Sequence, residues 1–221
     1  MAGVVVAIDG PAGSGKSTLA RLLAARLLFR YLDSGALYRS LTLKALRTGA
    51  DPGDGPGLAR LLAGTRIELR DGEGGQAVLL DGEDVSAEIR GAAATAAVSR
   101  VAAHPEVRAG MAPRQRDYAG RGGGVVAEGR DIGTVIFPDA AVKFYLDASP
   151  GERARRRAAE TGGRPEDERD AMAERDARDF GRRVAPLRAA ADAEVVDTTG
   201  LTVEQVLEAL LARVRGRLGG A

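Results

Sequence analysis

The 221 residues predict a doubly wound α/β domain, and three features near the start carry that expectation. Residues 4–9 are an apolar run without alternation that ends in an acid, the pattern of a strand covered on both faces in a parallel sheet. A glycine-rich stretch, 10–15, follows directly, and residues 16–28 then set Leu19, Leu22, Leu23 and Leu27 at helical spacing. Tyr31-Leu32-Asp33 reads as a second short strand. Strand, loop, helix and strand in that order open a sheet with crossover helices.

The later elements follow from the same signals. Ser34 is placed as the N-cap of a helix through Leu37, Leu41, Ala45 and Leu46. Residues 51–57, rich in Gly, Pro and Asp, mark a break. Strands at 65–70, 77–80 and 83–85, with turns at 71–75 and Asp81-Gly82, make a small antiparallel meander. Helical patterns occupy 93–103 and, after Pro105, the stretch to Arg116. Buried strands are predicted at 125–127, 141–146 and 194–196. A closing helix at 202–217 carries the stripe Val203, Val206, Leu207, Leu210, Leu211 and Val214. Residues 149–188 are Arg-rich, helical and strongly charged.

Composition narrows the chemistry. With 44% apolar residues the chain can bury a core without disulfides or metal. Lys+Arg 32 against Asp+Glu 31 leaves a net charge of +1, which argues against a dedicated nucleic-acid or membrane-surface binder. The absence of cysteine removes thiolate nucleophiles and Cys-based zinc sites, and a single histidine removes His-cluster metal sites and His-based triads. No apolar run reaches the ~20 residues of a spanning helix, and no basic leader precedes the first strand. A cytoplasmic, monomeric protein acting on small molecules, with neither nucleic acid nor membrane as partner, is expected. Only Lys16, Lys44 and Lys143 are lysines beside 29 arginines, so a single arginine carries little information and a retained lysine carries more.

Lys16 is where that matters. Gly10-Pro11-Ala12-Gly13-Ser14-Gly15-Lys16-Ser17, followed by Thr18, fits G-x-x-x-x-G-K-[ST] in full, after a predicted strand and before a predicted helix. Glycines let the chain curl so that backbone N–H groups point inward onto phosphate oxygens, and the helix adds its own unsatisfied N–H groups and positive dipole end. Lys16 then bridges β- and γ-phosphates, and the Ser17 hydroxyl serves as a Mg²⁺ ligand. A glycine-rich turn with a chance lysine is the alternative, and motif, context and lysine scarcity together weigh against it. The chain contains no asparagine, so the Asn-Lys-x-Asp motif of guanine readers is excluded. Length, the small insert and the Arg-rich flap point to a small-molecule kinase.

Three further blocks carry a family resemblance. Leu32-Asp33-Ser34-Gly35-Ala36-Leu37-Tyr38-Arg39, residues 127–140 with Gly129-Arg130-Asp131-Ile132-Gly133-Thr134, and Glu174-Arg175-Asp176-Ala177-Arg178-Asp179 resemble bacterial cytidylate kinases, P-loop nucleoside monophosphate kinases, over nearly the whole chain. The resemblance implies a P-loop NTPase-type parallel five-stranded sheet flanked by helices, with a small antiparallel NMP-binding insert and an Arg-rich lid. The single kinase domain would then comprise a core (1–33, 123–148, 189–221), an NMP-binding region (34–122, with the β insert at 65–86) and a lid (149–188). It implies ATP and Mg²⁺, CMP as acceptor, and dCMP as a second acceptor. Ser34 is implied to touch the nucleotide, Arg39 the CMP phosphate, and Ser99 and Arg108 the base. Asp131 would complete that pocket, since a carboxylate accepts from the cytosine 4-amino group and repels the oxygen that uracil presents there. Arg130 and Arg182 are implied phosphate contacts in the catalytic group with Lys16, and Arg175 and Asp179 a sugar-contacting pair.

From 153 to 188 eleven arginines face eight acids, so most of that segment reads as a solvated surface laced with i,i+4 pairs. Arg153 and Arg157, four apart on one helical face, are assigned to ATP, with Gly162-Gly163 as a flexible tip. Leu28-Phe29-Arg30 stands where the family often has a glycine after the first helix, a departure that bears on helix termination. Shikimate kinase is a rival reading, through Arg121-Gly122-Gly123-Gly124, although that triplet precedes a predicted strand and reads as a loop. An ATP-binding regulator without an acceptor is a second.

Overall fold

The structure is a computed structural model describing residues 3–72 and 75–219. In chain order it contains β1 (Val5–Asp9), α1 (Lys16–Leu27), β2 (Arg30–Asp33), α2 (Ser34–Thr48), α3 (Gly55–Ala63), β3 (Ile67–Gly72), β4 (Gly75–Leu80), β5 (Glu83–Asp84), α4 (Ala92–Val101) and α5 (Pro105–Ala119). It continues with β6 (Val125–Gly129), a π-helical turn (Ile132–Ile136), β7 (Val142–Asp147), α6 (Pro150–Thr161), α7 (Pro165–Phe180), β8 (Glu194–Asp197) and α8 (Val203–Leu218). The chain forms two compact units, Met1–Arg30 with Gly122–Ala221, and Tyr31–Arg121.

In the first unit the apolar run at the N-terminus becomes the centre of a five-stranded sheet of order β2-β6-β1-β7-β8. Val6, Ala7 and Ile8 are fully buried, as expected of a strand with helices over both faces. β1 pairs in parallel with β6 and β7, and β7 with β8; β2 joins through the Arg30 N–H, which donates to the Gly124 carbonyl at 2.9 Å. The register places Asp9 opposite both Gly129 and Tyr145, so the loops leaving β1, β6 and β7 emerge together at the carboxyl edge. That edge is where ligands bind in open parallel sheets. α1 packs against β6 and α8, and α8 starts from a capping box in which Thr202 and Gln205 exchange side-chain and backbone hydrogen bonds.

The end of α1 accounts for the departure at Leu28. This residue adopts the left-handed conformation (φ 56°) that usually falls to glycine, and its side chain is 94% exposed. The Phe29 N–H reaches back to the Ala24 carbonyl at 2.9 Å, which closes the helix. Gly122 and Gly123 turn with positive φ, and a Cβ on Gly124 would meet the Phe29 ring at 2.5 Å. The glycine triplet is therefore a turn and a packing contact.

The second unit is built on α2, α3, α4, α5 and the antiparallel sheet β3-β4-β5. The meander appears as expected, with Leu69 opposite Val78, and Asp81 and Gly82 both at positive φ, the two-residue hairpin geometry. The turn expected at 71–75 includes residues 73 and 74, which lie outside the described residues.

Two expectations are corrected. The stretch 51–57 is only in part a break, because α3 begins at Gly55 with Asp54 as its cap and Pro56 in its first turn. Asp and Pro serve turns and helix starts alike, so composition alone does not separate the two. The N-cap of α2 is Asp33, whose Oδ1 accepts the Ala36 N–H at 2.9 Å; Ser34 is the first helical residue. Aspartate and serine cap equally well, and the extended conformation of Asp33 decides between them.

Candidate active site

The phosphate-binding loop is fixed by close approaches. A Cβ on Gly10 would lie 2.0 Å from the Leu146 carbonyl oxygen at the end of β7, so no side chain fits there. Gly13 and Gly15 have φ of 73° and 88°, and Gly15 caps α1. From below, the Thr198 hydroxyl donates to the Asp147 carbonyl at 3.0 Å and lies 3.3 Å from the Ser14 carbonyl. Arg156 holds Thr198 in turn, through its hydroxyl at 2.9 Å and its carbonyl at 2.7 Å.

Lys16 is 5% exposed, and its Nζ donates to the Pro11 carbonyl at 2.6 Å, inside the curl of its own loop. Burial pushes this ammonium down to about 7; the Arg130 and Arg175 guanidinium groups act in the same direction, against Glu128 and Asp9. A group so placed gains most from an incoming polyanion, which restores the countercharge that burial removed. The Ser17 hydroxyl donates to Glu128 Oε1 at 2.7 Å. Glu128 is buried near the end of β6, three residues before Asp131. Hydroxyl and carboxylate oxygens suit a hard divalent cation. Among the described residues no group of three or more His, Cys, Asp or Glu is gathered to hold a metal ion. The Ser17–Glu128 pair thus fits a cation whose other ligands are water and phosphate oxygens, the habit of Mg²⁺.

Arg130 and Arg182 converge on Asp179, which is 1% exposed; Arg130 Nε donates to it at 2.8 Å, and Arg182 pairs with its other oxygen. Burial alone would raise the Asp179 carboxyl, but Arg130, Arg182 and Arg175 outweigh it and hold the pKa below the usual value. Arg182 Nε is buried without a hydrogen-bond partner, a donor suited to an anion. Arg153 reaches the loop itself, donating to the Ala12 carbonyl at 3.0 Å while pairing with Asp176 of α7. Arg157 does not; it pairs with Glu160 at 2.9 Å. Ser17 and Thr18 are exposed at the mouth of the loop. Asp131 is 4% exposed and opens the π-helical turn.

In the second unit, Ser34, Ser99 and Arg108 are buried on α2, α4 and α5. Arg108 donates to the Ala102 carbonyl at 3.0 Å and lies over the Tyr38 ring at 5.5 Å. Arg39 donates to the Thr95 hydroxyl at 2.8 Å and the Ile89 carbonyl at 3.2 Å. Arg39 and Arg108 are thus each held by their neighbours.

Sequence reasoning missed Glu128, Arg156 and Asp176. For Glu128 a signal existed: Val125-Val126-Ala127-Glu128 is an apolar strand ending in an acid. Arg156 and Asp176 carry no local signal, because what distinguishes them lies across the fold.

Comparison with known proteins agrees with this geometry. Residues 6–216 match the family described as Cytidylate kinase. The chain is 52% identical to a cytidylate kinase of Pelotomaculum thermopropionicum over 215 residues, 95% of each chain. It is 51% identical to that of Geobacillus thermodenitrificans over 221 residues (98% of each), and 49% identical to that of Mycobacterium avium over 221 residues (98% of this chain, 97% of the other). A complete phosphate loop, an acid facing its serine and half-identity along nearly all of the sequence lead to one conclusion: this chain belongs to the cytidylate kinase family, a family of nucleoside monophosphate kinases.

Proposed function

We propose that the protein transfers the γ-phosphoryl group of ATP to CMP, giving ADP and CDP, with dCMP as a second acceptor and Mg²⁺ as the ion. The observation that carries this reading is the buried Lys16 within a complete phosphate loop, beside a Ser17–Glu128 oxygen pair, in a chain half-identical to cytidylate kinases. When bound, Mg²⁺ would neutralise charge on the β- and γ-phosphates; Ser17 and Glu128 are the residues assigned to hold it.

The attacking atom is a phosphate oxygen of the acceptor. Its second pKa is near ~6, so at neutral pH it is already ionised and needs no general base, which suits a chain without cysteine and with one histidine. Rate enhancement then rests on alignment and countercharge. Lys16 is assigned to the donor phosphates, with the N–H groups of residues 10–18; Arg130 and Arg182 to the transferred and acceptor phosphates; and Arg39 to the acceptor phosphate. Ser34, Ser99, Arg108 and Asp131 are assigned to the cytosine nucleotide, Arg175 and Asp179 to its sugar, and Arg153 with Arg157 to ATP. The pair α6–α7 is read as a lid. We place the protein in the cytoplasm, in pyrimidine nucleotide metabolism, as a monomer without nucleic-acid or membrane partners.

A coupled ADP-release assay with CMP, dCMP, UMP, AMP and shikimate tests the reading. Magnesium-dependent turnover with CMP and dCMP, at least tenfold above UMP and AMP in kcat/KM, is expected. Turnover with shikimate alone, or none with any acceptor, would refute it.

A further inference from the structure

Asp9 has no part in the reaction as described, yet it is among the most tightly held acids in the first unit. It ends β1, opposite Gly129 of β6, and is 3% exposed. Its two oxygens take successive backbone N–H groups beyond β6: Oδ1 accepts from Ile132 at 2.8 Å and Oδ2 from Gly133 at 2.7 Å. These N–H groups open the π-helical turn, in which the Asp131 carbonyl accepts from Val135 at 2.9 Å and Ile136 at 3.2 Å. Such turns are rare and tend to mark functional positions.

We propose that Asp9 is a positioning residue for acceptor selectivity, its carboxylate clamping the Ile132 and Gly133 N–H groups so that the turn presents Asp131 and Arg130 in one fixed orientation. The proposal rests on the reading that Asp131 meets the cytosine base.

Several features favour a clamp over a mere packing role. A carboxylate is a costly way to fill a buried position: burial, aided by Asp131 and opposed by both N–H groups and by Lys16, pushes Asp9 up to about 6. Two acceptors diverging from one carbon onto adjacent N–H groups fix both position and rotation of the segment, which one acceptor cannot do. The segment is confined from the other side as well. A Cβ on Gly133 would stand 3.2 Å from Lys143 Cδ and 3.4 Å from Asp9 Oδ2, so the turn sits between the clamp and the β7 lysine. Asp131 itself is held through the backbone on either side of it, by β6 before and by the clamp after.

Asp9→Asn tests this directly, since it keeps the shape and one acceptor but turns an NH₂ group toward a backbone N–H. KM for CMP should rise at least tenfold and the CMP-over-UMP ratio of kcat/KM should fall at least tenfold, while KM for ATP stays within twofold. An unchanged ratio, or KM values for ATP and CMP rising together, would overturn the proposal, because a general packing defect or an effect through Lys16 moves both. If Asp9→Asn does not fold, Gly133→Ala decides by the same split, pressing on the turn from within. Asp131→Asn is measured alongside. Selectivity lost in Asp131→Asn but kept in Asp9→Asn rejects the clamp alone; selectivity kept in Asp131→Asn rejects the reading on which it rests.

Discussion

The phosphate loop with its flanking strand ends and the helical pair α6–α7 are both dense in charge, but they hold it differently. Around the loop, Asp9, Lys16, Glu128, Asp131 and Asp179 are all at most 5% exposed, and Asp9, Glu128 and Asp179 each meet a partner in another segment of the fold. On α6 and α7 the typical pair is local and solvated: Glu152 with Arg155, Arg157 with Glu160, Arg164 with Asp167. Exposed pairs of this kind contribute about 0–1 kcal/mol, whereas a buried charge loses far more when its partner is removed. Two helical arginines cross the divide. Arg153 and Arg156 lie on α6 but bond to the loop and to Thr198, so they belong energetically with the loop.

Lys16→Met should break the comparison most visibly: kcat falls on the order of 10³-fold, with the thermal midpoint within a few degrees of wild type. Steady-state kinetics and calorimetry check the two halves of that statement. Next in size, Glu128→Gln should raise the Mg²⁺ concentration for half-maximal rate at least tenfold while leaving KM for CMP within twofold; a metal titration of initial rates reads it.

A pH series sharpens the contrast. The Asp9 carboxyl sits at about 6 in the fold against 3.8 for the free group. A raised carboxyl favours folding below about pH 4, and that advantage is lost as pH rises through about 6. Asp9→Asn lacks it. The stability of wild type minus that of Asp9→Asn should therefore fall by about 2 kcal/mol between pH 4 and pH 7, measured by denaturant unfolding at each pH; a flat difference contradicts the assignment.

Smaller effects are expected where the chain is exposed. Leu28→Gly relieves a left-handed leucine and should stabilise the fold by about 1 kcal/mol, a rise of roughly 2–4 °C in Tm for a chain of this size, with unchanged kcat. Arg164→Ala, which removes a pair 77% and 62% exposed, should change stability by less than about 0.5 kcal/mol.

These differences also explain what could be read in advance. The loop was legible because its chemistry is contiguous: glycines, lysine and serine occupy eight successive positions between a strand and a helix. The sheet was legible because buried parallel strands lack alternation, and β1, β6 and β7 all show it. The roles of Asp9 and Glu128 were not, since they arise only when β1 and β6 lie side by side in the observed register; the acid that ends each apolar strand is a local mark of position and not of partner. Arg153 and Arg157 looked equivalent at helical spacing, and only the first meets the loop. The helix α3 was hidden by residues that turns and helix starts share. The monophosphate-site assignments came from resemblance of motifs, because one arginine among 29 announces nothing by itself.

The central claim is that the residues of this loop move a phosphoryl group from ATP to a cytosine nucleotide and not to water. Incubation with γ-labelled ATP, CMP and Mg²⁺, followed by separation of products, tests it most directly. The account predicts label in the β-phosphate of CDP for wild type, and almost none for Lys16→Met. Label released only as inorganic phosphate, or label in CDP at equal rates from both proteins, would contradict it.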